Sequence, residues 1–183
     1  MNRIRLATLN DLDILEKLYY DINDYLENSV NYPLWRKNIY PNRETALTGI
    51  EGIEGIEGIG KNSLYVFEDE NVIKGTVILN SIQEEAYKDA NWSIDAADFE
   101  VLVIHTLVVS PEFFKKGIAE LLVRFAINFA KENNYKTIRL DSCETNKPAI
   151  SLYEKAGFKF VGSIDLKLPH NTEFLYNAYE MVL

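Results

Sequence analysis

Residues 107–119 read LVVSPEFFKKGIA and join the end of a long apolar run to the start of an amphipathic helix. The run begins at Phe99, and Ser110-Pro111 ends it. Downstream, apolar residues recur at three- and four-residue spacing from Ile118 to Ala130, which is the period of a helix packed on one face. A strand that passes through a short loop into a helix leaves unpaired amides at the positive end of that helix. The stretch therefore favours a phosphate or pyrophosphate site.

Three residues of this loop support the anion-site hypothesis. Gly117 allows close approach to the backbone, and Lys115 and Lys116 place positive charge at the mouth of the loop. Two nucleotide-binding loops are excluded, because the sequence has neither the Walker pattern Gly-x-x-x-x-Gly-Lys-[Ser/Thr] nor the three spaced glycines of a dinucleotide fingerprint. An ordinary strand-to-helix turn is the alternative at this point.

The elements on either side follow from periodicity and turn signals. A first helix is predicted to run to about Glu27, and a second, aromatic-rich helix is predicted between Pro33 and Tyr40. The charged turn Glu68–Asn71 joins the two strands of an antiparallel hairpin. Further strands or helices are predicted at residues 4–6, 63–67, 72–80, 99–109, 118–130, 137–140, 148–156, 158–166 and 173–182. With its strand–helix–strand crossover, this order predicts a mixed α/β domain.

Composition and charge narrow the class of protein. The 183 residues carry 19 Lys plus Arg against 28 Asp plus Glu, for a net charge of −9, and 47% of them are apolar. These values exclude wholesale disorder, and they argue against nucleic acid or an anionic membrane as the partner. One cysteine, no apolar leader and no bilayer-spanning run predict a cytoplasmic protein with one domain over residues 1–183.

Residues 49–60 form a low-complexity repeat of three Gly-Ile-Glu units followed by Gly-Ile-Gly. A period of three matches neither a helix nor a strand, and three such units are too short for a solenoid. We expect a surface insertion or a frayed extension of the preceding helix. A flap over the functional site is the alternative.

A second motif, NKPAISLYEKAGF at residues 146–158, follows the next predicted strand. Together with residues 107–119 it resembles the GNAT N-acetyltransferase superfamily. Members carry [Arg/Gln]-x-x-Gly-x-[Gly/Ala] after one strand and Asn-x-x-Ala-x-x-Leu-Tyr-x-x-x-Gly-Phe after the next. The second motif matches at every named position, and the first matches at Gly117 and Ala119. The departure is Phe114, where members usually have Arg or Gln, so one side-chain contact to phosphate is lost unless the neighbouring lysines compensate.

The resemblance implies a GNAT fold, with a mostly antiparallel sheet of six or seven strands splayed between the fourth and fifth, and about four helices. It implies acetyl transfer from acetyl-CoA to a primary amine of a small molecule or peptide. The pantetheine arm would lie in the splay, where the N–H of Val109 would polarise the thioester carbonyl. The residues expected to contact the coenzyme are Leu107, Val108, Val109, Phe114, Lys115, Lys116, Gly117, Ile118, Ala119, Glu120, Asn146 and Tyr153.

Acetyl transfer needs a proton acceptor for the amine and a proton donor for the leaving thiolate. The resemblance places Tyr153 beside the sulfur as the acid. His105 is the expected base, acting through water, because strand alternation puts it on the face of Leu107 and Val109 and because some members have a catalytic histidine at that offset. Glu100 is the rival base.

The sequence also gives expectations for four aromatic residues, the cysteine, the second histidine and metal binding. The aromatic residues expected to line the acceptor side are Tyr32, Trp35, Tyr87 and Trp92, where they would stack on a cation or an aryl amine, with simple packing as the alternative. Cys143 is expected to be an inert thiol, with a covalent acetyl-cysteine route as the alternative, and His170 is expected in a solvated turn. No metal is expected, because no His, Asp or Glu cluster has ligand spacing.

The sequence leaves one alternative function in place, which is a coenzyme-binding module without catalysis. It is suggested by Phe114, whereas the intact Tyr153 and Asn146 argue against it. The identity of the acceptor amine does not follow from these residues. Neither does the choice between a monomer and a homodimer joined through the C-terminal strands, as in many members of the family.

Overall fold

The computed structural model describes residues 2–52, 60–168 and 173–183. Its strands are β1 (Arg3–Leu6), β2 (Leu64–Asp69), β3 (Val72–Asn80), β4 (Val101–Val109), β5 (Thr137–Cys143), β6 (Lys159–Ile164) and β7 (Tyr176–Val182). Its α-helices are α1 (Leu12–Glu27), α2 (Arg43–Glu51), α3 (Ile118–Glu132) and α4 (Lys147–Ala156). The seven strands form one sheet in the order β1-β2-β3-β4-β5-β7-β6, in which β4 and β5 are parallel and the other neighbours antiparallel. The predicted mixed, mostly antiparallel sheet with about four helices is confirmed.

The parallel pair β4–β5 opens towards its carboxyl end. The two strands pair over three residues of β4, Val101–Val103. Beyond Val103, β4 stays paired with β3 as far as Val109, whereas β5 stays paired with β7 as far as Cys143. The predicted splay between the fourth and fifth strands is therefore confirmed, and it opens a cleft in the middle of the sheet.

A β-bulge interrupts β4 at Thr106, where φ is +40° and the register with β3 shifts by one residue. Leu107 and Val109 pack into the apolar cluster beneath α3, whereas Val103, two residues before His105, packs into a different cluster. The prediction that His105 shares a face with Leu107 and Val109 is wrong, because the extra residue of a bulge reverses the alternation beyond it.

The helices cover the two faces of the sheet. The apolar stripe of α3 is buried as predicted, and together with α4 it packs over β3, β4 and β5. The apolar face of α1, with part of α2, packs on the other side over β2 and β3. In the part of the chain that the structure describes, no helix is long and apolar enough to cross a bilayer.

The predicted helix between Pro33 and Tyr40 is not formed. These residues make a series of turns, with Leu34 at φ +59° and Asn38 at φ +64°. The helical segment begins only at α2, where the Asn42 side chain caps the first turn by accepting a hydrogen bond from a backbone amide. The aromatic residues before Asn42 therefore lie in a segment without helix, residues 33–40, which we call the coiled segment. Their spacing reflects packing rather than a helical face.

The first Gly-Ile-Glu unit is the last turn of α2, which agrees with the expected extension of the preceding helix, although this turn is packed rather than frayed. Gly49 and Ile50 are buried. A Cβ atom added at Gly49 would meet the Cβ of Leu64 at 2.8 Å, so the close approach of α2 to β2 requires glycine there. Residues 53–59 of the repeat, and the predicted solvated residue His170, lie outside the described residues.

Candidate active site

A cavity of about 1080 Å³ opens where β4 and β5 separate. Its walls come from the end of α1, the coiled segment before α2, the second half of β4, the start of α3, the end of β5, and α4. It brings together most of the predicted coenzyme contacts, namely Leu107, Val108, Val109, Phe114, Lys115, Gly117, Ile118, Ala119, Glu120, Asn146 and Tyr153. Lys116 is not in the wall, and its Nζ lies 5.0 Å from the centre of the Phe113 ring.

The start of α3 has the geometry of an anion-binding turn. Lys115 and Gly117 both have left-handed backbone conformations, with φ of +61° and +78°. No side chain caps α3, and a Cβ added at Gly117 would meet nothing within 4 Å. Amides at the positive end of a helix therefore border open space, which fits a pyrophosphate group. Phe114 supplies no polar contact here, since its ring packs edge-on against Tyr25 at 5.2 Å between centres.

Tyr153 lies on α4 and borders the same cavity. Its ring packs against Phe158 and Tyr179, at 5.9 and 6.5 Å between centres, so the phenol is held in place. Burial raises the pKa of Tyr153 well above its usual value, and the charge of Asp141 adds to this effect. The hydroxyl is therefore protonated at neutral pH and can donate a proton to a group in the cavity.

His105 also lines the cavity, but its ring nitrogen is engaged. Nε2 lies 3.0 Å from Asn80 Oδ1 and 3.1 Å from the carbonyl oxygen of Ile82. Because both partners accept, Nε2 carries the proton and Nδ1 is the atom left to accept one. Burial lowers the pKa of His105 to about 4, with a smaller opposing effect from the Ile82 carbonyl. The imidazole is therefore neutral, and it is a weak proton acceptor at neutral pH.

Glu100, the rival base, lies at the opposite end of β4 from the cavity. It sits in a short 3-10 turn before the strand, and its Oε1 is 2.6 Å from the Nζ of Lys136. Lys136 holds the pKa of this carboxyl below its usual range. Glu100 is absent from the cavity wall, so the structure brings Tyr153 and His105 together and leaves Glu100 outside.

The predicted acceptor-side aromatics divide into two pairs. Tyr32 and Trp35 line the cavity, and Thr145 holds their segment by donating a hydrogen bond to the carbonyl of Tyr32 at 2.7 Å. Tyr87 and Trp92 are not in the wall of this cavity, and their contact with an acceptor stays a prediction. Their rings pack against each other, with 5.2 Å between the ring centres, and the Trp92 indole N–H donates a hydrogen bond to the Tyr87 carbonyl.

Sequence reasoning missed two carboxylates in the wall, Asp141 and Glu84. The Tyr87 hydroxyl donates to Asp141 Oδ2 at 2.8 Å. Burial raises the pKa of Asp141 to about 6, and the charge of Glu84 adds to the rise, while the hydrogen bond from Tyr87 opposes it. The available signal was an acidic residue directly after the apolar strand residue Leu140.

Two further expectations concern the cysteine and metals. Cys143 borders the cavity and is buried, and its Sγ lies 3.2 Å from the hydroxyl oxygen of Thr145. Across residues 2–52, 60–168 and 173–183, no group of three or more His, Cys, Asp or Glu side chains is arranged to hold a metal ion.

The sheet opens between two parallel strands, and the start of α3 borders the opening. Residues 24–158, about three quarters of the chain, match the acetyltransferase (GNAT) family, and the chain belongs to this family.

One curated relative is similar in sequence, and two solved structures share the fold. An uncharacterized N-acetyltransferase of Methanocaldococcus jannaschii is 35% identical over 71 residues, which is 39% of this chain and 31% of that protein. A GNAT-family acetyltransferase of Streptococcus agalactiae superposes with a TM-score of 0.77 at 19% identity, covering 100% of this chain and 95% of the other. A Salmonella typhimurium protein solved with its cofactor acetyl-CoA superposes at 0.65 with 14% identity, covering 100% and 94%. The matched stretch spans less than half the length of the curated relatives.

Proposed function

We propose that this protein transfers the acetyl group of acetyl-CoA to a primary amine of a small molecule or peptide. The observation that carries the proposal is a single cavity that joins an uncapped helix start at Gly117, the opened edge of β4 and the buried phenol of Tyr153. Membership of the GNAT family supports the same reaction.

The coenzyme half of the cavity fits the shape and charge of coenzyme A. The first turn of α3 would hold the pyrophosphate through backbone amides, with Lys115 beside it. The second half of β4 is paired with β3 but not with β5, so an extended pantetheine arm could pair with its free edge. The role of the Val109 N–H at the thioester carbonyl stays a prediction. When bound, acetyl-CoA supplies the acetyl group and a thiol leaving group.

Tyr153 is the proton donor in this proposal. Its raised pKa keeps the hydroxyl protonated until the thioester sulfur gains negative charge, and the ring is fixed by its neighbours on both sides. His105, the base predicted from the sequence, fits poorly because its pKa is lowered to about 4. The proton acceptor is therefore another group, and the candidates are the carboxylates in the cavity wall.

Four wider expectations belong to the same proposal. A cytoplasmic location is supported by the free, buried Cys143. A small amine is favoured over nucleic acid or a membrane surface as the partner by the net charge of −9. A single acetyltransferase domain over residues 1–183 and a homodimer through the C-terminal strands stay predictions.

The test is acetyl transfer itself, measured as thiol release from acetyl-CoA with a panel of primary amines. Tyr153→Phe removes only the hydroxyl, so we expect coenzyme affinity to be retained while kcat falls on the order of 10²-fold. Tyr135→Phe is the matched control, since Tyr135 packs against Phe129 away from the cavity, and it should keep full activity. Coenzyme binding without transfer to any amine would instead support the non-catalytic alternative.

A further inference from the structure

Asp141 is a cavity carboxylate that the mechanism above does not use. It lies on β5 two residues beyond Arg139, the last residue of that strand paired with β4. The hydroxyl of Tyr87 donates to its Oδ2, which fixes the orientation of the carboxylate. Among the residues with described positions, no Lys, Arg or His forms an ion pair with Asp141. A cation entering the cavity would supply the missing partner of a carboxylate that is costly to bury alone.

Glu84 adds a second negative charge to the same part of the wall. It lies where the main cavity meets a second cavity of about 400 Å³, which runs between α2 and β3. The residues common to both walls are Ile39, Tyr40, Glu84, His105 and Thr106. Trp35 and Tyr40 pack edge to face at 5.8 Å on this side, and aromatic faces attract cations.

The titratable groups around Asp141 supply no compensating positive charge. These titratable groups border Asp141 or interact with its charge. They lie on the coiled segment, the loop before β4, β4, α4 and β7, and they are Tyr40, Glu84, Tyr87, His105, Tyr153 and Tyr176. His105 is neutral because burial lowers its pKa to about 4. Burial also raises the pKa of Tyr40 to about 12, so its hydroxyl stays neutral. The lysine of the cavity wall, Lys115, belongs to the anion-binding turn at the start of α3.

We propose that Asp141 and Glu84 form the acceptor subsite, and that this subsite selects a small primary amine with a second cationic group. The inference rests on the proposed function, because it names the acceptor class and the proton acceptor of the same site. Asp141 binds the ammonium group and takes one of its protons, which frees the nitrogen lone pair. Glu84 attracts the second cationic group.

The proton balance of the step assigns one role to each group. The freed nitrogen forms the C–N bond with the acetyl carbon as the C–S bond breaks. Tyr153 gives its proton to the sulfur and recovers one from the nitrogen, and Asp141 returns its proton to solvent. The products are an acetamide, a free thiol and one released proton. With a pKa of about 6, Asp141 is ionised at neutral pH and remains basic enough to take part.

The experiment compares three amines of equal chain length, 1,4-diaminobutane, n-butylamine and 4-aminobutanoate, with acetyl-CoA as donor. For the wild-type protein we expect kcat/KM to fall in that order, with roughly tenfold or more between the first and the last. Glu84→Gln should narrow the preference for the diamine over n-butylamine. Asp141→Asn should lower kcat for both on the order of 10²-fold and remove the acid limb near pH 6. Asp95→Asn, at an exposed position outside the wall, is the control and should behave as wild type.

A binding measurement separates this inference from the proposed function. Calorimetric titration of 1,4-diaminobutane into the protein saturated with coenzyme A should show binding that Asp141→Asn weakens at least about tenfold. Diamine binding through Asp141 without acetyl transfer would overturn the proposed function and leave the subsite standing. Acetyl transfer that is unchanged in Asp141→Asn, or a preference for 4-aminobutanoate, would overturn the subsite and leave the function standing. A diamine that is neither bound nor acetylated also overturns the subsite.

Discussion

Asp141 holds a negative charge in the cavity wall with a phenol as its hydrogen-bond donor, and this arrangement costs stability. Its pKa is raised from 3.8 to about 6, so between these values the folded protein binds more protons than the unfolded chain does. The free energy of unfolding therefore falls as the pH rises through this range, by roughly 2–3 kcal/mol in all. A residue that lowers stability and faces a cavity is typical of a functional site.

Asp141→Asn should remove this cost. We expect the melting temperature of the variant to exceed that of the wild type by several degrees at about pH 8, and the difference to shrink towards about pH 3, below both pKa values, where the carboxyl is protonated in both states. Thermal unfolding across this pH range measures it, with Asp95→Asn as the control. A difference that does not change with pH would show that Asp141 does not titrate as described.

Whether a residue of the site could be predicted depends on whether a short stretch of sequence around it indicates its role. Gly117, Asn146 and Tyr153 were predictable, because each belongs to a short motif next to a strand. Asp141 and Glu84 were not, because their importance comes from the opening of the sheet and from the contact with Tyr87, which are set by residues distant in sequence.

Among the elements, α2 shows how a repeat can be part of a core. Its last turn carries the first Gly-Ile-Glu unit, with Ile50 only 7% exposed in the cluster that joins α1 and β2. The period of three matches no helical pattern, so the sequence predicted a surface insertion or a frayed extension of the helix and not a packed turn. The strongly periodic helices α1 and α3 were predictable, whereas the bulge at Thr106 depends on pairing with β3 and has no signal in the strand itself.

Ile50→Ala should destabilise the protein by about 2–4 kcal/mol, because it removes buried methyl and methylene groups and leaves a cavity. Ile14→Ala is the matched control, since Ile14 is on α1 but 51% exposed, and its effect should stay within about 0.5 kcal/mol. Denaturant unfolding of the two variants checks this. Equal effects would mean that the first repeat unit is not packed as the structure shows.

For the whole molecule, the determining feature is a sheet that divides into two halves beyond Val103. Strands β1–β4 form one half, which packs with α1 and α2. Strands β5–β7 form the other half, which is no longer paired with β4 beyond Val103. Helix α3 connects β4 to β5 along the chain. The cavity is the space left between the halves, with an anion-binding turn at one side and two carboxylates in its wall. Opposite charges are thus arranged as the two substrates of the proposed transfer reaction require.

Binding of coenzyme A in this space, with its phosphates at Gly117, is tested by the melting-temperature shifts of two variants. Coenzyme A at about 100-fold its Kd should stabilise the wild-type protein by roughly 2.7 kcal/mol and raise its melting temperature by several degrees. Gly117→Ala introduces the same left-handed strain as any side chain but adds no charge, and its Cβ meets nothing within 4 Å, so the shift should persist. Gly117→Glu places a negative charge at the phosphate position and should abolish the shift. A full shift in Gly117→Glu would show that the phosphates do not bind at the start of α3.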